Sequence, residues 1–183
     1  MIALLAHLTP TGYGAWGDGM ARLFLQPTEL LLVIALVLLA LQSGRPCGDR
    51  LPLLLPLAWL LGGLIGLNPS AELLLAVVCT AIVAATGLLV ALGVRLRPRV
   101  LMPLVALLAA AFAVVAGSAL AGHPGALAAL LGETVAIAVL TTLLTGLLAP
   151  PHPRWRAIAV RVGGNWITAA SLLMLGWLVR HPQ

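Results

Sequence analysis

Six runs rich in Leu, Ala and Val, each close to twenty residues long and separated by short breaks that hold most of the arginines, constrain this chain more than any other feature. A helix at 1.5 Å per residue needs about twenty apolar residues to cross the hydrocarbon core of a bilayer. The runs fall at Leu23–Gln42, Leu51–Leu67, Glu72–Val94, Val100–Ala121, Ala126–Ala149 and Ala157–Val179. The breaks are Ser43–Arg50, Asn68–Ala71, Arg95–Arg99, Gly122–Gly125 and Pro150–Arg156, most with the Pro or Gly that stops a helix. Only 8% of residues are charged and 62% are hydrophobic, against roughly 25% and 45–50% in a soluble domain. That much apolar surface has to face lipid, where backbone groups must be satisfied internally, and runs of this length select helices over barrel strands. The expected fold is an all-α, polytopic integral membrane protein of about six transmembrane helices.

All ten basic residues are Arg, and they gather at the ends of the apolar runs. A net charge of +5 therefore reads as topology rather than as nucleic-acid binding. Arg45 and Arg50 lie in the first break, Arg95, Arg97 and Arg99 in the third, and Arg154, Arg156 and Arg161 around the fifth. Only Arg22 and Arg180 fall on the other side. The positive-inside rule places the odd breaks in the cytoplasm, and an even number of spans leaves both termini non-cytoplasmic. The division expected is an outer N-terminal segment over residues 1–22 lying at the interface, a six-helix body over 23–179, and an outer tail over 180–183. Tyr13, Trp16, Trp155 and Trp177 suit interfacial belts. Cys47 and Cys79 form no Cys-x-x-Cys motif and differ in expected depth, so neither a disulfide nor redox chemistry is expected.

Chemistry has few candidates. Asp18 and Asp49 lie in polar segments. Glu29 follows Gln26-Pro27-Thr28 at the start of the first helix, and Glu72 follows Asn68-Pro69-Ser70 at the start of the third, so capping of a helix dipole accounts for either. Glu133 is different: seven residues past Ala126, it should lie about 10 Å into the bilayer, where a carboxylate costs several kcal/mol unless it faces protein or water. Steps of four put Glu133, Ile137, Thr141 and Thr145 on one face, with Thr134 and Thr142 beside it, as either a cation pathway or a structural hydrogen-bonding stripe. Asn165 can bond a neighbouring helix or line a cavity. Helices one, three and five all start outside, so Glu29, Glu72 and Glu133 share the outer half. Their convergence would make an oxygen-rich site for Mg²⁺, Ca²⁺, Mn²⁺ or protons.

His7, His123, His152 and His181 all lie in breaks or termini, and His7 and His123, on the outer side, are the better metal-ligand candidates. Gly62, Gly63 and Gly66, with Gly163 and Gly164, allow close helix packing. No phosphate-binding loop, nucleophile elbow, His pair or dinucleotide fingerprint occurs, so no enzyme is expected.

The order of these features resembles the HupE/UreJ family of small bacterial membrane proteins associated with nickel supply. His7-Leu-Thr-Pro-Thr-Gly-Tyr-Gly resembles the family's outer N-terminal segment, and Pro69-Ser70-Ala71-Glu72 its Pro-x-x-Glu start of helix three. Leu88–Arg97 and the final Arg161-Val-Gly-Gly-Asn-Trp-Ile-Thr-Ala-Ala-Ser-Leu-Leu are also similar. Thr28 and Glu29 stand where the family carries Asp and His, Phe112–Leu120 replaces a His-rich run, and Thr141 takes the place of another His. The resemblance implies a multi-pass protein of the bacterial inner membrane that passes a divalent transition metal of the nickel type, the metal being cargo rather than cofactor. Losing the imidazoles removes the natural neutral ligands for Ni²⁺. The alternative expectation is a non-transporting subunit or scaffold of a larger membrane complex, or a homo-oligomer.

Overall fold

The computed structural model describes residues 12–68, 74–148 and 153–180, and these residues hold helices and no strand. The elements are α1 (Gly14–Leu25), α2 (Pro27–Ser43), the short α3 (Arg45–Gly48), α4 (Leu51–Gly66), α5 (Leu74–Ala91), α6 (Pro98–Leu120), α7 (Ala126–Leu148) and α8 (Pro153–Arg180). Four helical stretches are long and apolar enough to cross a membrane: Pro46–Gly66, Pro98–Leu120, Ala126–Leu148 and Ala157–Arg180. A fifth arises if α1 and α2, bent by 74° where they meet, count as one broken span, and α5 adds a shorter apolar stretch, Val77–Ala91. The architecture is that of a membrane-embedded helical protein.

At the centre stands α2. It is apolar on every face, and Ala35 through Leu41 are all buried, which is possible only for a helix surrounded by others. Its neighbours are α5 and α8 on one side and α7, α6 and α1 on the other. Around it, leucines such as Leu53, Leu61, Leu107, Leu143 and Leu173 point outward as a surface suited to lipid.

Small residues set the helix spacing. A Cβ on Gly62 or Gly66 would collide with the Ala110 or Val114 carbonyl, so α4 and α6 run side by side in the same direction with backbones touching. On the opposite flank α5 and α8 run antiparallel, with Gly87 against Thr168 and Gly164 against Ala91 and Val90. Gly163 rests against the Leu38 side chain of α2.

The end of α5 is closed in two ways. Gly93, at φ +70°, allows the Val94 N–H to reach the Leu89 carbonyl and its own N–H to reach Val90, a Schellman closure. The Gln42 amide donates to the Leu89 and Val94 carbonyls (3.3 and 2.7 Å), and the Leu96 N–H donates to the Ser43 hydroxyl, so the last turn of α2 anchors the α5–α6 turn. The Arg161 guanidinium lies against Gly93, a favourable place for a cation at a helix C-terminus.

The described part of the N-terminal region departs from expectation. The boundary drawn between residues 22 and 23 falls inside α1, and α1 packs along α7. Gly19 meets the Ala129 backbone, Gly132 meets the Trp16 carbonyl, and Gly125 lies beside Ala15, so the two helices advance in register. A leucine at Gly132 should force α1 off α7 and cost about 1–3 kcal/mol or more. Gly146→Leu and Gly176→Leu, where nothing lies within 4 Å, should be nearly neutral. Thermal unfolding of the three variants in one detergent checks the contrast.

Candidate functional site

The elbow between α1 and α2 follows from Pro27. Proline has no N–H to give the Leu23 carbonyl, so α1 cannot continue through it, but proline is well suited to begin the next helix. Gln26 adopts extended geometry at φ −102° and ψ 92°, and α2 starts afresh from Pro27 at a steep angle. The bend sets the C-terminal end of α1 against the N-terminal end of α2. Arg22 occupies the last turn of α1 and Glu29 the first turn of α2, each on the helix end whose dipole favours its charge.

The two meet there, and a third charge joins them. Arg22 Nη2 donates to Glu29 Oε1 at 3.0 Å, and Arg22 Nη1 donates to Glu133 Oε2 of α7 at 3.0 Å. Glu133 is completely buried, and Arg22 and Glu29 are nearly so. The guanidinium fork is thus divided between two carboxylates instead of gripping one. Each carboxylate keeps a second oxygen, Glu29 Oε2 and Glu133 Oε1, that is buried and receives no N–H or O–H donor, and the two carboxyl groups lie within hydrogen-bonding reach of each other. With all three groups ionised the cluster carries one net negative charge in a medium where uncompensated charge is costly.

Arg22 corrects the sequence reading, which took it for an outer-side topology charge. It was identifiable in principle: a buried Glu133 favours a cation beside it, and Arg22 and Arg180 are the two arginines expected on the same outer side. The elbow that turns Arg22 inward was not identifiable, because Pro27 alone does not say whether the chain upstream of it is a loop or a helix.

The other expected site residues are dispersed. Thr141 is fully buried on the Glu133 face, but eight residues on it lies about 12 Å further along the axis, too far to share a ligand. Its hydroxyl also lacks a partner. Thr145 is half-buried, and its hydroxyl donates back to the Thr141 and Thr142 carbonyls, as Thr134 and Thr142 do one turn back along their own helix. Asn165 is a second correction. It lies on the exposed face of α8 with Trp166, directed away from the bundle, and lines no interior path.

Glu72 and His7 fall outside the described residues. His123 sits half-buried in the turn before α7, away from any cluster that could hold a metal; among the described residues there is no group of three or more His, Cys, Asp or Glu able to do so. Asp18, one turn before Arg22, is half-buried, and Cys79 of α5 is near enough to Glu29 to feel its charge.

Fold and site together define a class: a membrane-embedded helical protein with a broken helix and a buried arginine–dicarboxylate cluster at the break. No family model matches the chain, and no curated protein or solved structure is significantly similar to it.

If the cluster holds the elbow, Arg22→Gln, which leaves two buried carboxylates facing each other, should cost about 3–5 kcal/mol of stability. Arg22→Lys keeps the charge but not the fork, and should cost a smaller, measurable fraction of that. Thermal unfolding of both variants in mild detergent gives the order; a Lys variant as unstable as Gln would mean that geometry, and not charge, dominates.

Proposed function

We propose that this chain is a small polytopic transport protein of HupE/UreJ type, in which Glu29 and Glu133 form the cation-contacting station of a pathway through the bundle. The observation that carries this reading is the buried Arg22–Glu29–Glu133 cluster at the break of a helix. Membrane transporters commonly place their ion sites where a span is interrupted, because helix ends supply dipoles and unpaired carbonyls that an intact helix does not. Ionisable groups inside a membrane domain are expensive, and sites of ion passage are where they are usually found.

In this reading the chain crosses the bacterial inner membrane six times, α1 and α2 forming one broken span and α5 the shortest. Both termini lie outside. With Arg22 moved from the loops to the interior, eight of the nine remaining arginines lie on the cytoplasmic side, which sharpens the positive-inside argument. Glu72, which precedes α5 in the sequence and lies outside the described residues, is the further acidic group proposed for the outer mouth, and the cargo implied by the resemblance is a divalent transition metal.

A second reading is supported by α8. Only 17% of its apolar stretch is buried, and an amide at Asn165 faces outward among apolar residues, which suits a membrane subunit that binds a larger complex or another copy through α8.

Reconstitution into ion-loaded vesicles separates the two. Transport predicts cation flux above that of empty vesicles, reduced to the empty-vesicle level by Glu133→Gln in protein that still elutes as a folded species. Equal flux in wild type and Glu133→Gln would remove the pathway, and a constant stoichiometric partner after mild extraction would favour the subunit.

A further inference from the structure

We propose that the cluster is a site for a single monovalent cation, sodium or a proton, and that Arg22 is a built-in cation that excludes divalent ions from it. The inference rests on the reading of the cluster as a cation station and departs from the divalent cargo that the resemblance implies, assigning the station a monovalent ion instead.

Glu29 and Glu133 bring two negative charges, and Arg22 returns one positive charge through two separate 3.0 Å contacts. The balance is one unit negative, so one monovalent cation brings the cluster to neutrality. A divalent ion would leave the three groups one unit positive beside a guanidinium, an excess that is costly in apolar surroundings.

The two carboxylate oxygens that Arg22 does not use, Glu29 Oε2 and Glu133 Oε1, receive no donor on residues that are at least nine-tenths buried, and the two carboxyl groups come within hydrogen-bonding reach of each other, close enough to share one cation. They are hard, anionic ligands of the kind that sodium or a proton takes.

Arg22 also cannot lose its charge under any ordinary condition. Its exclusion of divalent ions is therefore permanent, unlike that of a lysine or histidine. This gives the missing imidazoles a physical counterpart: the interior holds a fixed cation and two carboxylates where a soft-metal path would hold neutral nitrogen ligands.

Cys79 of α5 lies near enough to Glu29 to feel its charge, and Asp18 on α1 and His123 in the turn before α7 are half-buried titratable groups outside the three-residue cluster. The cluster variants are compared at fixed pH for that reason.

The test is equilibrium binding on detergent-purified full chain, read by thermal shift and calorimetry. Titrations use sodium chloride against choline chloride at constant ionic strength, acid in choline chloride with proton uptake recorded, and magnesium or nickel chloride. Wild type should be stabilised by sodium, or in choline should take up one proton per chain on acidification, and should not respond to either divalent ion. Glu29→Gln and Glu133→Gln, each of which leaves a neutral Arg–Glu pair and so should fold, should abolish whichever response wild type gives.

Arg22→Gln, where it folds, should instead gain a divalent response, because two carboxylates without the guanidinium carry two negative charges. Sodium stabilisation identifies sodium, and stoichiometric proton uptake lost in both Gln variants identifies the proton. A wild-type divalent response that the Gln variants remove would overturn the proposal, as would no response to any of the three. Binding as proposed without vesicle flux would overturn the transport reading and leave the site standing; flux that Glu133→Gln abolishes, from a wild type that binds neither sodium nor protons, would overturn the site and leave the transport reading standing.

Discussion

The interaction on which the rest of this structure depends is the division of one guanidinium between two buried carboxylates. A carboxylate at the position of Glu133 is tolerable inside an apolar bundle only with a cation beside it, and the nearest one available in the fold lies 111 residues away in sequence. Bringing Arg22 there requires a helix that enters beside α7, stops, and releases the chain into the centre of the bundle. Pro27 supplies the stop, and Gly19 and Gly132 supply the close approach. Composition elsewhere in the chain is permissive; at these positions it is specific.

The same constraint explains why α2 is central. Glu29 must reach the cluster from the first turn of α2, so that turn is fixed in the interior, and the rest of the helix as far as Leu41 has to be apolar on all sides. The helix ends the other way, with Gln42 and Ser43 bonding the α5–α6 turn. One end of α2 is held by charge and the other by neutral hydrogen bonds, the usual division between groups that can reach water-accessible loops and groups that cannot.

Periodicity and run length made the helices legible, since a stretch of twenty Leu, Ala and Val residues bounded by Arg has few other folds available to it. Packing glycines were legible for the same reason: Gly62 and Gly66, four apart, can only serve a close crossing or nothing. The N-terminal helix was harder to see because Gly14–Leu25 mixes Gly, Asp and Arg with aromatic residues, and nothing in that pattern separates a surface helix from one docked on α7. Glu133 was legible from depth alone. Its partner was obscured by a rule that is right on average, since an arginine at the end of an apolar run usually is a topology charge. Asn165 was misplaced because a polar residue in a span was assumed to face inward, whereas α8 is peripheral and turns that face outward.

The account's central claim is that Arg22 and Glu133 are paired in the folded protein, and a double-mutant cycle on those two positions tests it most directly. Stability of Arg22→Gln, Glu133→Gln and the double variant would be measured by thermal unfolding in one detergent. Contacting residues give coupling energies of about 0.5–3 kcal/mol. The structure predicts coupling in the upper half of that range, with the double variant less damaged than the sum of the two single ones. Strict additivity would contradict it, and would return Arg22 to the surface and α1 to the interface.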